Sequence, residues 1–218
     1  AGLAEQRGLL FEARGEYGKA TNAYLDALEK DPANTSLTLR LGGAQVEDGA
    51  FDAAEQTLSK VIRDMPNSAE AEYFIGRVAF GRGRTPDALT HFDRAVSLDG
   101  TKGEYHLYVG RAALEMGNLG RTLEEVLAAI NFAPELGDAY WIRAIVRLRM
   151  GAVKDALTDL VKTLKLKPAR TEAYAVMGDC HEQLRQLPEA IAAYRTAVTR
   201  DPKRGEWWYR LGMLQGDS

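Results

Sequence analysis

The chain's one cysteine, Cys180, is followed by His181 and Glu182, so a thiol, an imidazole and a carboxylate stand side by side in the sequence. On a helix, however, neighbouring residues point about 100° apart, and a thiol so placed reads as a buried structural group rather than a nucleophile. His181-Glu182 also opens the string of a zinc-protease motif, but Arg185 occupies the position of the required second histidine. The other histidines, His91 and His106, lie in separate stretches of sequence, so no set of metal ligands forms. Gly81-Arg82-Gly83-Arg84 is rich in glycine but lacks the following Gly-Lys-Ser/Thr of a phosphate loop. The expectation is a protein that is not an enzyme, uses no cofactor and binds no metal.

Composition narrows the class further. The 218 residues carry a net charge of −3 with 27% charged residues, and no Lys/Arg stripe of the kind that marks a nucleic-acid-binding surface. No apolar run approaches the roughly 18 residues of a membrane span, so no membrane insertion is expected. A single cysteine excludes an internal disulfide and fits a reducing, cytoplasmic setting. The sequon Asn34-Thr35-Ser36 would matter only in a secreted protein. Arginine exceeds lysine 19 to 9, a bias that points to a bacterial source.

The elements that carry these residues are set by a period of 34. Gly8, Gly42, Gly76, Gly110, Ala144, Gly178 and Gly212 form one series; Ala20, Ala54, Ala88, Ala156 and Ala190 a second, interrupted by Thr122. Pro32, Pro66, Pro134, Pro168 and Pro202 form a third, interrupted by Gly100. A period of this size means stacked copies of one supersecondary unit. Each unit reads as two helices, in the first repeat from Ala1 to Arg14 and from Gly18 to Lys30. Gly15, Gly49, Gly83, Gly117 and Gly151 fall where the first helix needs a positive-φ cap, with Arg185 the exception. Pro86 and Pro188 open second helices. Small residues at positions 8 and 20 of the repeat let the two helices approach, with larger groups such as Tyr24, Leu58, Phe92 and Tyr194 around them.

An aromatic at position 4, Leu at 7, Gly at 8, Ala at 20, an aromatic at 24, Ala at 27 and Pro at 32 resembles the tetratricopeptide repeat. The resemblance covers six full repeats, 1–34, 35–68, 69–102, 103–136, 137–170 and 171–204, and the first helix of a seventh, 205–218. It implies an all-α, right-handed superhelical solenoid of antiparallel helix pairs, one array over 1–218, whose first (A) helices line a concave groove that receives protein partners. Helix geometry puts positions 2, 5, 9, 12 and 13 of each A helix on one face, and the resemblance implies that this face is the groove. The groove expected in the central repeats comprises Leu39, Arg40, Tyr73, Arg77, Phe80, Leu107, Tyr108, Arg111, Leu114, Trp141, Ile145 and Leu148. The first and sixth repeats are acidic there, through Glu5, Glu12, Asp179 and Glu182.

Position 9, commonly Asn in peptide-binding members of the family, is nowhere Asn here, which argues against a carboxylate clamp of the chaperone type. Arg77 and Arg111 take its place in adjacent repeats, and arginine and aromatic residues are enriched anchors of protein interfaces. The alternative is that both arginines neutralise Glu70, Glu104 or Glu115. Arg143 and Arg147 occupy positions 7 and 11, where apolar packing is expected, and need carboxylate partners such as Asp155, Asp159 or Glu115.

The chain begins at position 1 of a repeat without an initiator Met and ends one helix into another, as a fragment of a longer protein would. The reading is a non-catalytic scaffold that binds another protein, as a peptide, helix or small domain with an acidic residue. Alternatives are the targeting or regulatory arm of a larger enzyme, and self-association through the apolar groove or the open seventh repeat.

Overall fold

The computed structural model describes residues 2–216, in two compact units that divide after Gly117. The first contains α1 (Gly2–Ala13), α2 (Tyr17–Leu28), α3 (Thr35–Glu47), α4 (Phe51–Asp64), α5 (Ala69–Gly81), α6 (Thr85–Leu98) and α7 (Gly103–Glu115). The second contains α8 (Leu119–Phe132), α9 (Gly137–Arg149), α10 (Val153–Leu166), α11 (Glu172–Gln183), α12 (Leu187–Arg200) and α13 (Gly205–Gly216). Among the described residues all regular structure is α-helical. Ala1, Asp217 and Ser218, named in the expected helix start and chain end, lie outside the described residues.

Local signals explain the boundaries. Gly15, Gly49, Gly83, Gly117 and Gly151 all have φ between 70° and 78°, so the first helix of each pair ends where only glycine turns without a steric penalty. The same turn survives without glycine at Arg185, whose φ is 58°. Asn34, Ser68 and Asn118 accept hydrogen bonds from the backbone N–H groups of Leu37, Ala71 and Arg121, capping α3, α5 and α8. Pro86 and Pro188 are the second residues of α6 and α12, where a missing N–H leaves no helical bond unmade.

Packing repeats with the sequence. In the first unit one cluster joins α2 to α3 through Ala20, Tyr24, Ala27, Leu37 and Leu41. The next joins α3, α4 and α5 through Val46, Leu58, Val61 and Val78, and a third joins α5, α6 and α7 through Phe92, Tyr105 and Val109. In the second unit Ala144, Leu160 and Cys180 tie α9, α10 and α11 together, and Tyr194, Val198, Trp207 and Leu211 tie α12 to α13. Within each unit the second helices α4, α6 and α10 are therefore held between the first helix of their own pair and that of the next. In the first unit α3 touches α5 and α5 touches α7, so these A helices lie side by side.

The small residue at position 8 acts differently from the expectation that it lets two backbones touch. A Cβ added to Gly42 would stand 2.5 Å from Leu58, one on Gly76 2.6 Å from Phe92 and one on Gly178 2.7 Å from Tyr194. The large side chain at position 24 fills the notch that glycine leaves, and all three partners are fully buried. Ala88, at position 20, comes close only through its carbonyl oxygen, 3.3 Å from the Cβ site on Gly76.

Candidate partner-binding site

The neighbouring A helices of the first unit bring two arginines and three rings into one alternating row. On α5, Tyr73 lies one helical turn before Arg77, whose guanidinium carbon is 5.8 Å from the Tyr73 ring centre and 5.1 Å from that of Tyr108 on α7. Arg111 on α7 follows, 4.9 Å from Tyr108 and 5.4 Å from Phe80 of α5. Tyr108 thus stands between both cations, and its edge meets Tyr73 with ring centres 5.3 Å apart. Stacked against rings, a guanidinium keeps its N–H donors at its rim, where they are available to an oxygen ligand.

The two arginines differ in charge balance. Arg77 donates to both carboxylate oxygens of Glu47 on α3, with Nη2 3.2 Å from Oε2. Burial works against its charge, but the Glu47 hydrogen bond and the tyrosines outweigh it and hold the guanidinium more firmly protonated than usual. Neither Glu70 nor Glu104 is the partner, and Glu115 accepts instead from the Thr85 hydroxyl at 2.8 Å. Arg111 has no carboxylate within ion-pair distance among the described residues. Glu47 sits 30 residues before Arg77, a near-repeat spacing that could have signalled the pair, since it links position 13 of one A helix to position 9 of the next.

The other expected site residues divide by burial. Leu39, Tyr73 and Leu107 are buried, Leu39 and Tyr73 within the inter-helix clusters, and burial pushes the Tyr73 hydroxyl well above its ordinary range. Arg40 is exposed on α3, while Phe80, Tyr108, Arg111 and Leu114 are half-buried. In the second unit Trp141, Ile145 and Leu148 are half-buried along α9. The Arg170 guanidinium lies 4.9 Å from the Trp141 ring and reaches Asp138 at 2.5 Å. Leu148 also borders an open cavity of about 340 Å³ lined by Asp179, Glu182, Gln183, Glu206 and Arg210.

Arg143 and Arg147 are satisfied by one buried carboxylate. Arg143 donates to Asp159 through Nε at 2.9 Å and Nη2 at 2.6 Å, and Arg147 through Nη1 at 2.8 Å. Asp159 lies on α10 with 1% of its surface exposed. The pairing anticipated from sequence is present, and it is made within the helix pair.

The groups with catalytic potential are otherwise engaged. Cys180 is fully buried, and burial pushes its thiol up to about 11. His181 Nδ1 is 2.8 Å from the side-chain oxygen of Gln186. His91 and Arg94 share the carboxylate of Glu72, each at 2.8 Å. Among the described residues no three metal-ligating side chains converge, and no helix is long and apolar enough to cross a membrane.

Paired helices with glycine notches, aromatic fillers and neighbouring A helices define a helical repeat protein. Tetratricopeptide repeat models match residues 12–78 and, in three segments, 73–136, 142–205 and 177–215. The chain belongs to the tetratricopeptide repeat family. It is similar to Protein NPG1 of Arabidopsis thaliana, with 29% identity over 104 residues, 45% of this chain, and the match spans only 15% of that protein's length. Among solved structures it resembles MamA, with 25% identity and a TM-score of 0.65 over 79% of this chain and 94% of MamA. PilW, described as a type IV pilus biogenesis factor, superposes with a TM-score of 0.79 over 98% of this chain and 97% of its own, at 19% identity.

Proposed function

We propose that the chain is a non-catalytic protein-interaction scaffold, and that the row formed by Tyr73, Arg77, Tyr108, Arg111 and Phe80 receives a partner segment carrying an acidic residue. The observation that carries the reading is Arg111: a guanidinium held between two rings, with no internal carboxylate among the described residues. Orientation is already fixed, so the entropy lost on forming a bidentate pair with a carboxylate is reduced. Arg77, neutralised by Glu47, serves to position Tyr108 rather than to attract charge. Leu114 and Phe80 supply apolar surface beside the cation, and Trp141, Ile145 and Leu148 supply a separate apolar strip in the second unit. The net negative charge supports a protein rather than a nucleic-acid partner, and the free, buried Cys180 supports a cytoplasmic setting.

A displayed random-peptide library, selected against the chain at low and high salt, tests this. Ligands enriched in acidic residues are expected, with association slowed by Arg111→Glu and the effect shrinking as ionic strength rises. Trp141→Ala is expected to leave this salt dependence unchanged. Selected peptides without acidic residues, bound equally well by Arg111→Glu that keeps native circular dichroism, would remove the reading.

A further inference from the structure

Arg77 and Arg111 take the same repeat position, 9, on the neighbouring helices α5 and α7, and each guanidinium is held against the Tyr108 ring, at 5.1 and 4.9 Å. Only the first has a carboxylate. Glu47, at position 13 of α3, reaches Arg77 from the preceding repeat with both of its oxygens. The residue that stands to Arg111 as Glu47 stands to Arg77 is Gly81, at position 13 of α5, which carries no side chain. Packing leaves no room for one, because a Cβ on Gly81 would stand 2.4 Å from the Phe51 ring. One arrangement is thus present twice in the first unit, and the two copies differ by an internal carboxylate.

The filled copy shows what the empty one accepts. In it a side-chain carboxylate meets the rim of a guanidinium whose faces lie against rings, and 17% of the arginine side chain and 33% of the glutamate side chain remain exposed. The pair therefore lies at the water boundary, and without Glu47 the rim of Arg77 would be open to an external anion. Two cations and one internal carboxylate leave one positive charge of the row uncompensated. A second acidic group arriving beside the first would meet the Glu47 carboxylate, and such a like-charge approach discriminates against a partner.

We propose that Glu47 is the specificity-determining residue of this row: an internal ligand that occupies Arg77 and restricts the row to partner segments presenting a single carboxylate, which takes at Arg111 the place that Gly81 leaves vacant. This role rests on Arg111 being the partner-binding cation, and it assigns to Glu47 the exclusion of segments with paired acidic residues.

The arginine side-chain Nε–H signals of the full chain, followed by proton–nitrogen correlation NMR and assigned with Arg77→Lys and Arg111→Lys, are titrated with acetate. In the wild-type chain the Arg111 signal should move saturably while the Arg77 signal stays in place. Glu47→Ala should bring Arg77 into the same titration, raising its affinity for acetate by about tenfold or more, with Arg111 responding as before. Glu47→Gln, which keeps the shape of the side chain and removes its charge, should give a smaller rise in the same direction. An Arg77 signal that moves together with Arg111 in the wild-type chain, or that stays in place in both variants while Arg111 responds, would overturn the role of Glu47 and leave the reading of Arg111 standing. An Arg111 signal indifferent to acetate in every protein would overturn both. Random-peptide selection against Glu47→Ala gives a second readout: peptides with two acidic residues at a fixed spacing are expected where the wild-type chain selects one. Single-acid peptides from both proteins would again overturn the role of Glu47 alone.

Discussion

Two arginines in packing positions show how one residue can decide whether a departure from a pattern is tolerated. Arg143 and Arg147 replace apolar groups, and Asp159, one turn before Thr163 on the same buried stripe of α10, meets both. A lone buried charge would be expelled or neutralised, whereas this cluster satisfies Asp159 with three donors and leaves the guanidinium rims partly wet. Asp159→Ala is accordingly expected to destabilise the second unit by roughly 3–5 kcal/mol, read from urea unfolding. A loss under about 1 kcal/mol would mean that the arginines simply swing to solvent. Cys180 gives a residue-scale effect of pH. Burial, with a smaller contribution from Asp179, raises its folded pKa to about 11 from an ordinary 9.0. The unfolded chain therefore releases this proton first, so the stability is fully present below pH 9.0 and is lost as pH rises toward about 11. The loss is on the order of 2 kcal/mol, and Cys180→Ala should flatten the alkaline stability profile by that amount. Superimposable profiles for the two proteins would contradict a buried neutral thiol.

At the scale of the helix and its turn, what the sequence made legible is whatever local geometry forces. Positive φ at Gly83 or Gly151 is written in the residue type, because only glycine adopts it freely, and the helix ends followed from it. Arg185 holds the same conformation at a cost of about 1–2 kcal/mol per residue for a side chain in this region. Arg185→Gly should therefore raise the stability of the α11–α12 pair by up to about 1 kcal/mol, measurable as a higher melting temperature. A lower one would mean that the arginine makes a compensating contact. Less legible were contacts between repeats. The alternative to partner binding paired Arg77 with Glu70, Glu104 or Glu115, yet its ion pair forms with Glu47 of the preceding A helix, a contact between repeats that spacing within one repeat does not specify. In the same way the periodic Gly and Ala announced a close approach without saying that Phe92 or Tyr194 fills it. Leu39, Tyr73 and Leu107, expected on the groove, are buried, Leu39 and Tyr73 in clusters between neighbouring helices, which spacing within one helix does not reveal. The row of Tyr73, Arg77, Tyr108, Arg111 and Phe80 contained the expected residues, but its alternation depends on side chains from two helices interleaving, which spacing within one helix does not specify.

Across the whole molecule the clusters have a consequence for cooperativity. Each of these clusters joins a second helix to neighbouring A helices within one unit, so among the described residues none of them links distant repeats. Stability of such a chain is a sum of repeat and nearest-neighbour terms, and a local defect should spread by one repeat before it is attenuated. Gly178→Leu provides the defect, because its side chain would have to displace the buried Tyr194 ring that lies 2.7 Å from the Cβ site. Overpacking there should cost about 1–3 kcal/mol. Followed by hydrogen exchange, amides of α11 and α12 should open faster, with a smaller effect in the adjoining α10 and α13. Exchange in α3, α4 and α5 of the first unit should stay at the wild-type rate, since those helices bury Leu58 and Val78 in a cluster of their own. Uniform acceleration along the chain would show a single cooperative unit, and the nearest-neighbour account of this fold would then fail.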